Sequence, residues 1–185
     1  MSAKIILSNI ANYSKGRGGH AITMGIFHRT AITGDTALSE ANYSHNHVLK
    51  ASYYKVIDLD GNIIESVLPQ DTEWAADNYP INQVSLNYEF TGLNGSPLTH
   101  AQIIAVIADI KADPAAKGIA NHILTTQEIV RVNVSGWCSH HDITNAFHIY
   151  GGHVDAISSS ELAQILAGIY AVTPAVGGGK GPAAK

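Results

Sequence analysis

Apolar and polar positions alternate along this chain in two distinct rhythms. Met24-Gly25-Ile26-Phe27 is a continuous apolar run ending in His28, and the spacing predicts a buried strand over about residues 22–29. A second such run, Val134-Ser135-Gly136-Trp137-Cys138-Ser139, ends in His140 and predicts another. Ser52 to Leu59 is strand-like, and Asp60-Gly61 turns it into a partner strand over Asn62 to Val67, a hairpin signature. Val84 to Thr91 alternates Val, Leu, Tyr and Phe with Ser, Asn, Glu and Thr, which reads as a further strand.

Helical spacing falls between these strands. Thr36 to His47 is helix-compatible, with Asp35 or Thr36 as N-cap and Glu40 near its start. After the Gly92–Pro97 loop, Thr99 caps a helix whose apolar positions are Ile103, Ile104, Val106, Ile107 and Ile110, ending before Pro114. Thr126 to Val130 is a short helix, and one of Ser158, Ser159 or Ser160 caps a last helix through Tyr170. Strands alternating with helices predict an α/β layered domain. The glycines around Lys15-Gly16-Arg17-Gly18-Gly19 read as a flexible opening loop. Residues 172–185, rich in Gly, Pro and Ala, read as a disordered tail or linker after a domain spanning 1–171.

Bulk composition narrows the function. At 185 residues and 45% hydrophobic content, one domain with a real core is expected, and two full ones are not. A formal net charge of −4 leaves no basic stripe to neutralise phosphates, which argues against nucleic acid. The single cysteine, Cys138, excludes a disulfide framework and Cys-rich zinc modules. The first nine residues are too short in apolar content for a secretory signal, and no stretch approaches the roughly 18 apolar residues of a membrane span. The chain is therefore expected to be made in the cytoplasm and to reach any outside target by release or on a particle.

With 10 histidines against 11 Lys plus Arg, metal or acid–base chemistry becomes plausible. A catalytic zinc site takes three protein ligands and keeps one position open, and His28, His140 and the carboxylate of His153-Val154-Asp155 meet that count. A lone histidine at a strand end is more often a core residue bonded to backbone; His28 is notable because it has company. His140 and His141, on a strand, would point to opposite faces. His140 would then share a face with Cys138, so a Cys138–His140 ligand pair is a rival, weakened because a buried neutral thiol is ordinary. Gly151-Gly152 allows a tight turn, and i, i+2 spacing puts His153 and Asp155 on one side, although an exposed polar loop is the plainer reading. Glu89 shares a strand face with Ser85 and Asn87: either a solvated face, or a general base beside the metal. Tyr53 could donate to an oxyanion or be an ordinary strand aromatic, and Trp74 could be core or a platform for a sugar ring.

Taken in order over about residues 12–157, these segments resemble the zinc-dependent N-acetylmuramoyl-L-alanine amidases of the type-2 family, which also contains peptidoglycan recognition proteins. Asn12 to Gly19 and the strand ending His28-Arg29-Thr30 look most like phage endolysins. Ala51 to Gly61 is similar to the family's hairpin, Glu73-Trp74-Ala75-Ala76 to its Ala-Trp-His-Ala-Gly segment, and Asn82 to Gly92 to its Asn-x-x-Ser-Ile-Gly-Ile-Glu strand. Leu98 to Gln102 resembles its Thr-x-x-Gln helix start, and Ser139 to Ile143 its Gly-His-x-Asp segment. The resemblance implies a single α/β domain with a central mixed sheet flanked by helices. It implies Zn2+ on His28, His140 and Asp155, Glu89 as the acid/base group, His153 and Tyr53 stabilising the transition state, and Trp74, Tyr54 and Asn82 contacting substrate.

The implied substrate is peptidoglycan, cleaved between N-acetylmuramic acid and L-alanine. Two departures stand out: Ala156-Ile157 follows Asp155 where the family has Pro-Gly, and Tyr54 stands where a histidine often follows the tyrosine. The first motivates an alternative, a peptidoglycan-binding or virion-associated module without chemistry; a cytosolic muropeptide-recycling amidase is another. Retention on anionic walls by charge alone looks weak at −4, so binding would rest on the groove.

Overall fold

A computed structural model describes residues 4–30, 32–93, 95–149 and 157–171. The chain runs β1 (Lys4–Ile5), a 3-10 turn (Ile10–Asn12), β2 (Tyr13–Ser14), β3 (Met24–Arg29), α1 (Ala37–Asn46), β4 (Lys55–Ile57), β5 (Ile63–Glu65), β6 (Thr72–Glu73), α2 (Tyr79–Val84) and β7 (Ser85–Phe90). It continues with α3 (His100–Ala112), α4 (Thr126–Ile129), β8 (Gly136–Ser139), α5 (His140–Phe147) and α6 (Ser159–Ile169). Six strands form one mixed sheet in the order β1-β5-β4-β7-β3-β8, and β2 pairs with β6 in a separate two-stranded ribbon. β4, β7, β3 and β8 are mutually parallel, while β5 runs antiparallel to β4 across the expected Asp60-Gly61 hairpin. Gly61 has φ +82°, a conformation that favours glycine in such a turn.

Both faces of the central strands are covered, and the two-residue period sorts side chains between them. Phe27, Leu86, Tyr88, Phe90 and Trp137 face one layer, packed against Ile103, Val106 and Ile110 of α3 and Leu162 and Ile165 of α6. Phe27 stacks on Trp137 with ring centroids 5.4 Å apart. Met24, Ile26 and Cys138 face the other layer with Ile81 and Val84 of α2, Ile129 of α4 and Ile143 of α5. Val56 and Ile64 extend that layer beneath Ala37 and Ala41 of α1.

Local signals explain most helix starts. Thr36, Thr99, Thr125 and Ser158 each accept from the backbone N–H three residues on, in capping boxes. Two expectations need correction. His140 and His141 do not sit on a strand: β8 stops at Ser139, whose hydroxyl and backbone N–H both pair with Asp142, and a helix begins at His140. The opening loop is not loose, because Lys15 Nζ reaches Asp71 at 2.8 Å and Thr72 Oγ1 donates to the Gly16 carbonyl at 2.7 Å. Arg17 is buried beneath it. The Gly/Pro/Ala stretch 172–185 lies outside the described residues.

Candidate active site

His28, Glu89 and His140 lie at or just past the carboxyl ends of the parallel strands β3, β7 and β8, where open α/β sheets place their ligands. His28 is the penultimate residue of β3 and pairs in register with Glu89, the penultimate residue of β7. Directly opposed residues of neighbouring strands share a face, so the imidazole and the carboxylate lie side by side. His140 follows the end of β8 as the first residue of α5. Its ring centroid is 4.6 Å from that of His28. Tyr53, just ahead of β4, brings its ring to 5.5 Å from His28. His28, Glu89 and His140 are buried, Tyr53 half-buried.

Four residues expected at the site from the sequence are therefore brought together: His28, His140, Glu89 and Tyr53. His153 and Asp155 lie outside the described residues. Among the described residues no three His, Cys, Asp or Glu side chains form a metal-binding group. Cys138 belongs to the apolar layer, and burial pushes its thiol well above the ordinary value, which makes it a poor thiolate donor. His141 is exposed.

The other expected contacts divide. Trp74 is half-buried, with its indole N–H donating to Ser14 Oγ at 3.0 Å and its backbone paired to Ser52, one residue from Tyr53. Tyr54 is not at the site. It is 2% exposed in the layer under α3, where its hydroxyl donates to Asp113 at 2.7 Å. Burial first, then that bond, pushes its phenol upward, so it stays a neutral donor. Adjacent residues on an extended segment face opposite ways, which is why Tyr53 and Tyr54 part company. Asn82 is also buried, and its Oδ1 accepts from the backbone N–H of Ala75 and Ala76. Its role is to shape the 74–77 segment.

Sequence reading missed the supports of the site. His28 Nε2 lies 2.9 Å from Asn87 Oδ1, and Asn87 Nδ2 donates to Ser85 Oγ at 3.0 Å. The Asn87 backbone N–H donates to Glu73 Oε1 at 3.0 Å, and Glu73 Oε2 receives Arg17 Nη2 at 2.7 Å. Burial pushes the Glu73 carboxyl up, with Arg17 and the Asn87 N–H acting against it. Asp77, 48% exposed and with φ +49°, brings Oδ2 to 3.8 Å from His140 Nε2. The unusual backbone at Asp77 had no counterpart in the spacing of apolar residues.

The chain matches the N-acetylmuramoyl-L-alanine amidase family, Amidase_2, over residues 18–158. No curated protein sequence matches it significantly. Several solved structures share its fold. A selenomethionine derivative of AmpD is 17% identical, covering 90% of this chain and 94% of that one with a TM-score of 0.64. The Staphylococcus aureus hydrolase AmiA is 15% identical, covering 92% and 83% with a TM-score of 0.66. The catalytic domain of XlyA is 18% identical, covering 91% and 99% with a TM-score of 0.52. The matched span takes in β3, β7 and β8 with the cluster at their ends, and on that match this chain belongs to the N-acetylmuramoyl-L-alanine amidases.

Proposed function

We propose that this amidase is a zinc-dependent hydrolase of the endolysin kind, cutting the amide between the lactyl group of N-acetylmuramic acid and L-alanine in intact cell wall. The observation that carries the reading is the pair of buried imidazoles 4.6 Å apart, with Glu89 in register beside one of them. The donor set fits zinc: two imidazoles converge, and one already has its second nitrogen held by an amide, the outer-shell arrangement common around ligating histidines. His28 and His140 would hold the ion, with Asp155 as third ligand. Zinc, when bound, supplies Lewis acidity toward the scissile carbonyl and lowers the pKa of water.

The chain's own groups do the rest. Glu89 takes the proton of the attacking water and returns it to the departing alanine nitrogen. Its burial at the end of β7 keeps that proton from bulk solvent. Tyr53 donates its hydroxyl hydrogen to the oxyanion that develops on the former carbonyl, and His153 adds positive charge there when protonated. The 74–77 segment, carrying Trp74 and Asp77, runs beside His140 through Asp77 and is available to substrate there.

Glu89→Gln keeps the shape and removes the base, so zinc content should be unchanged while turnover falls by about 10²–10⁴. The assay is appearance of new L-alanine amino termini from purified sacculi, with and without chelator. Full turnover in the variant, or turnover indifferent to chelator, overturns the mechanism. Activity on soluble muropeptides but not on sacculi overturns the endolysin assignment alone.

A further inference from the structure

A chain of buried polar groups ends on His28, and it does more than fill space. Arg17, Glu73, Asn87 and His28 are 6%, 0%, 0% and 0% exposed. Arg17 Nη2 donates to Glu73, Glu73 receives the Asn87 backbone N–H, and Asn87 Oδ1 meets His28 Nε2. An amide buried on a sheet face costs free energy unless its hydrogen bonds are made, so an apolar residue would serve packing better.

The orientation of that amide has a chemical consequence. Asn87 gives its Nδ2 hydrogen to Ser85 Oγ and turns Oδ1 toward the imidazole. Oδ1 only accepts, so Nε2 of His28 must carry the ring proton, and in a neutral imidazole the lone pair then belongs to Nδ1. An amide turned the other way would put the proton on Nδ1. Its own donor would then occupy the Nε2 lone pair.

We propose that Asn87 is a positioning residue that sets the tautomer of His28, presenting Nδ1 as the metal-binding atom, and that Arg17 and Glu73 hold Asn87 in place. The inference rests on the reading of His28 as a zinc ligand, but its first test needs no metal. In the metal-free full chain labelled with 15N-histidine, above pH 8, long-range proton–nitrogen correlations identify which ring nitrogen of His28 bears the proton. The Nε2–H form is expected; a dominant Nδ1–H form overturns the proposal.

The second test is zinc affinity by competition with a chelator. Asn87→Leu should lose the single-tautomer signature and bind zinc about 10–100-fold more weakly. Asn87→Asp keeps the acceptor and should retain both the tautomer and wild-type affinity. A folded Asn87→Leu chain with unchanged tautomer and zinc affinity overturns the proposal. If that variant does not fold, the wild-type tautomer and Asn87→Asp still decide it. A wild-type chain that takes up no zinc overturns the metal reading, while the tautomer still judges Asn87.

Discussion

Replacing Arg17 by methionine should cost this protein more stability than its place in a glycine-rich loop suggests. Its guanidinium donates to the carbonyls of Pro69 at 2.6 Å, Asn82 at 3.0 Å and Ser85 at 2.8 Å, and to Glu73 at 2.7 Å. Methionine fills similar space but leaves Glu73, fully buried, as an uncompensated charge. Breaking a buried pair from one side costs about 3–5 kcal/mol, against a total stability of roughly 5–15 kcal/mol for a domain. Urea unfolding followed by circular dichroism reads the loss directly. Arg17→Met with Glu73→Gln removes both charges and should recover about 1–3 kcal/mol relative to Arg17→Met alone.

The pH dependence of Arg17→Met has a definite sign. Without Arg17, burial raises the Glu73 carboxyl further, so the folded state holds that proton at a pH where the unfolded chain has released it. Stability then falls as pH rises through that window, and acidification from neutral toward pH 5 should narrow the deficit. A loss under about 1 kcal/mol, or a deficit that widens on acidification, would refute the claim that Arg17 neutralises a buried charge.

Other outcomes follow from the same geometry. Tyr54→Phe removes the bond to Asp113 and should lower stability by about 1–3 kcal/mol while leaving kcat and KM on sacculi unchanged; a selective rise in KM would return Tyr54 to the substrate groove. Burial, then Asp35, pushes the Glu40 carboxyl up to about 7, so this group favours the folded state less as pH rises from about 4.5 to 7. Glu40→Gln should flatten the Tm profile across that range, and an unchanged slope would show that Glu40 is not its source.

How far the sequence could be read depended on how local each cause was. Thr99 before a run of isoleucines, with Pro114 beyond, marks a helix by itself, and α3 lies where that pattern puts it. The hairpin at Asp60-Gly61 and the cap at Ser158 are equally local. The same kind of signal was present at Ser139 and Asp142 and would have started a helix at His140, but the apolar run ahead of it reads as a strand continuing. Asn78 with Pro80 likewise marks the start of α2, which the sequence reading left out.

Long-range causes left no such trace. Arg17 lies among glycines, and nothing nearby shows that it meets Glu73, 56 residues away. Ser85, Asn87 and Glu89 alternate like a solvated face, yet all three are buried because α2, α5 and the 73–77 segment cover that side. Of the candidate site, His28 and His140 were legible as imidazoles at strand ends, and Glu89 and Tyr53 as polar side chains within strands; the supports beneath them were not.

In β7, consecutive residues belong to different tasks: Leu86, Tyr88 and Phe90 to the oily interior, Ser85, Asn87 and Glu89 to the candidate site and its scaffolding. The pleat thus acts as a sorting device, and it tolerates no frame error. One residue inserted within the strand would swing an aromatic ring into the candidate site and drive a carboxylate into the hydrocarbon layer at the same stroke. Length variation in descendants of this chain should accordingly collect in the connecting loops, with this strand kept at constant count.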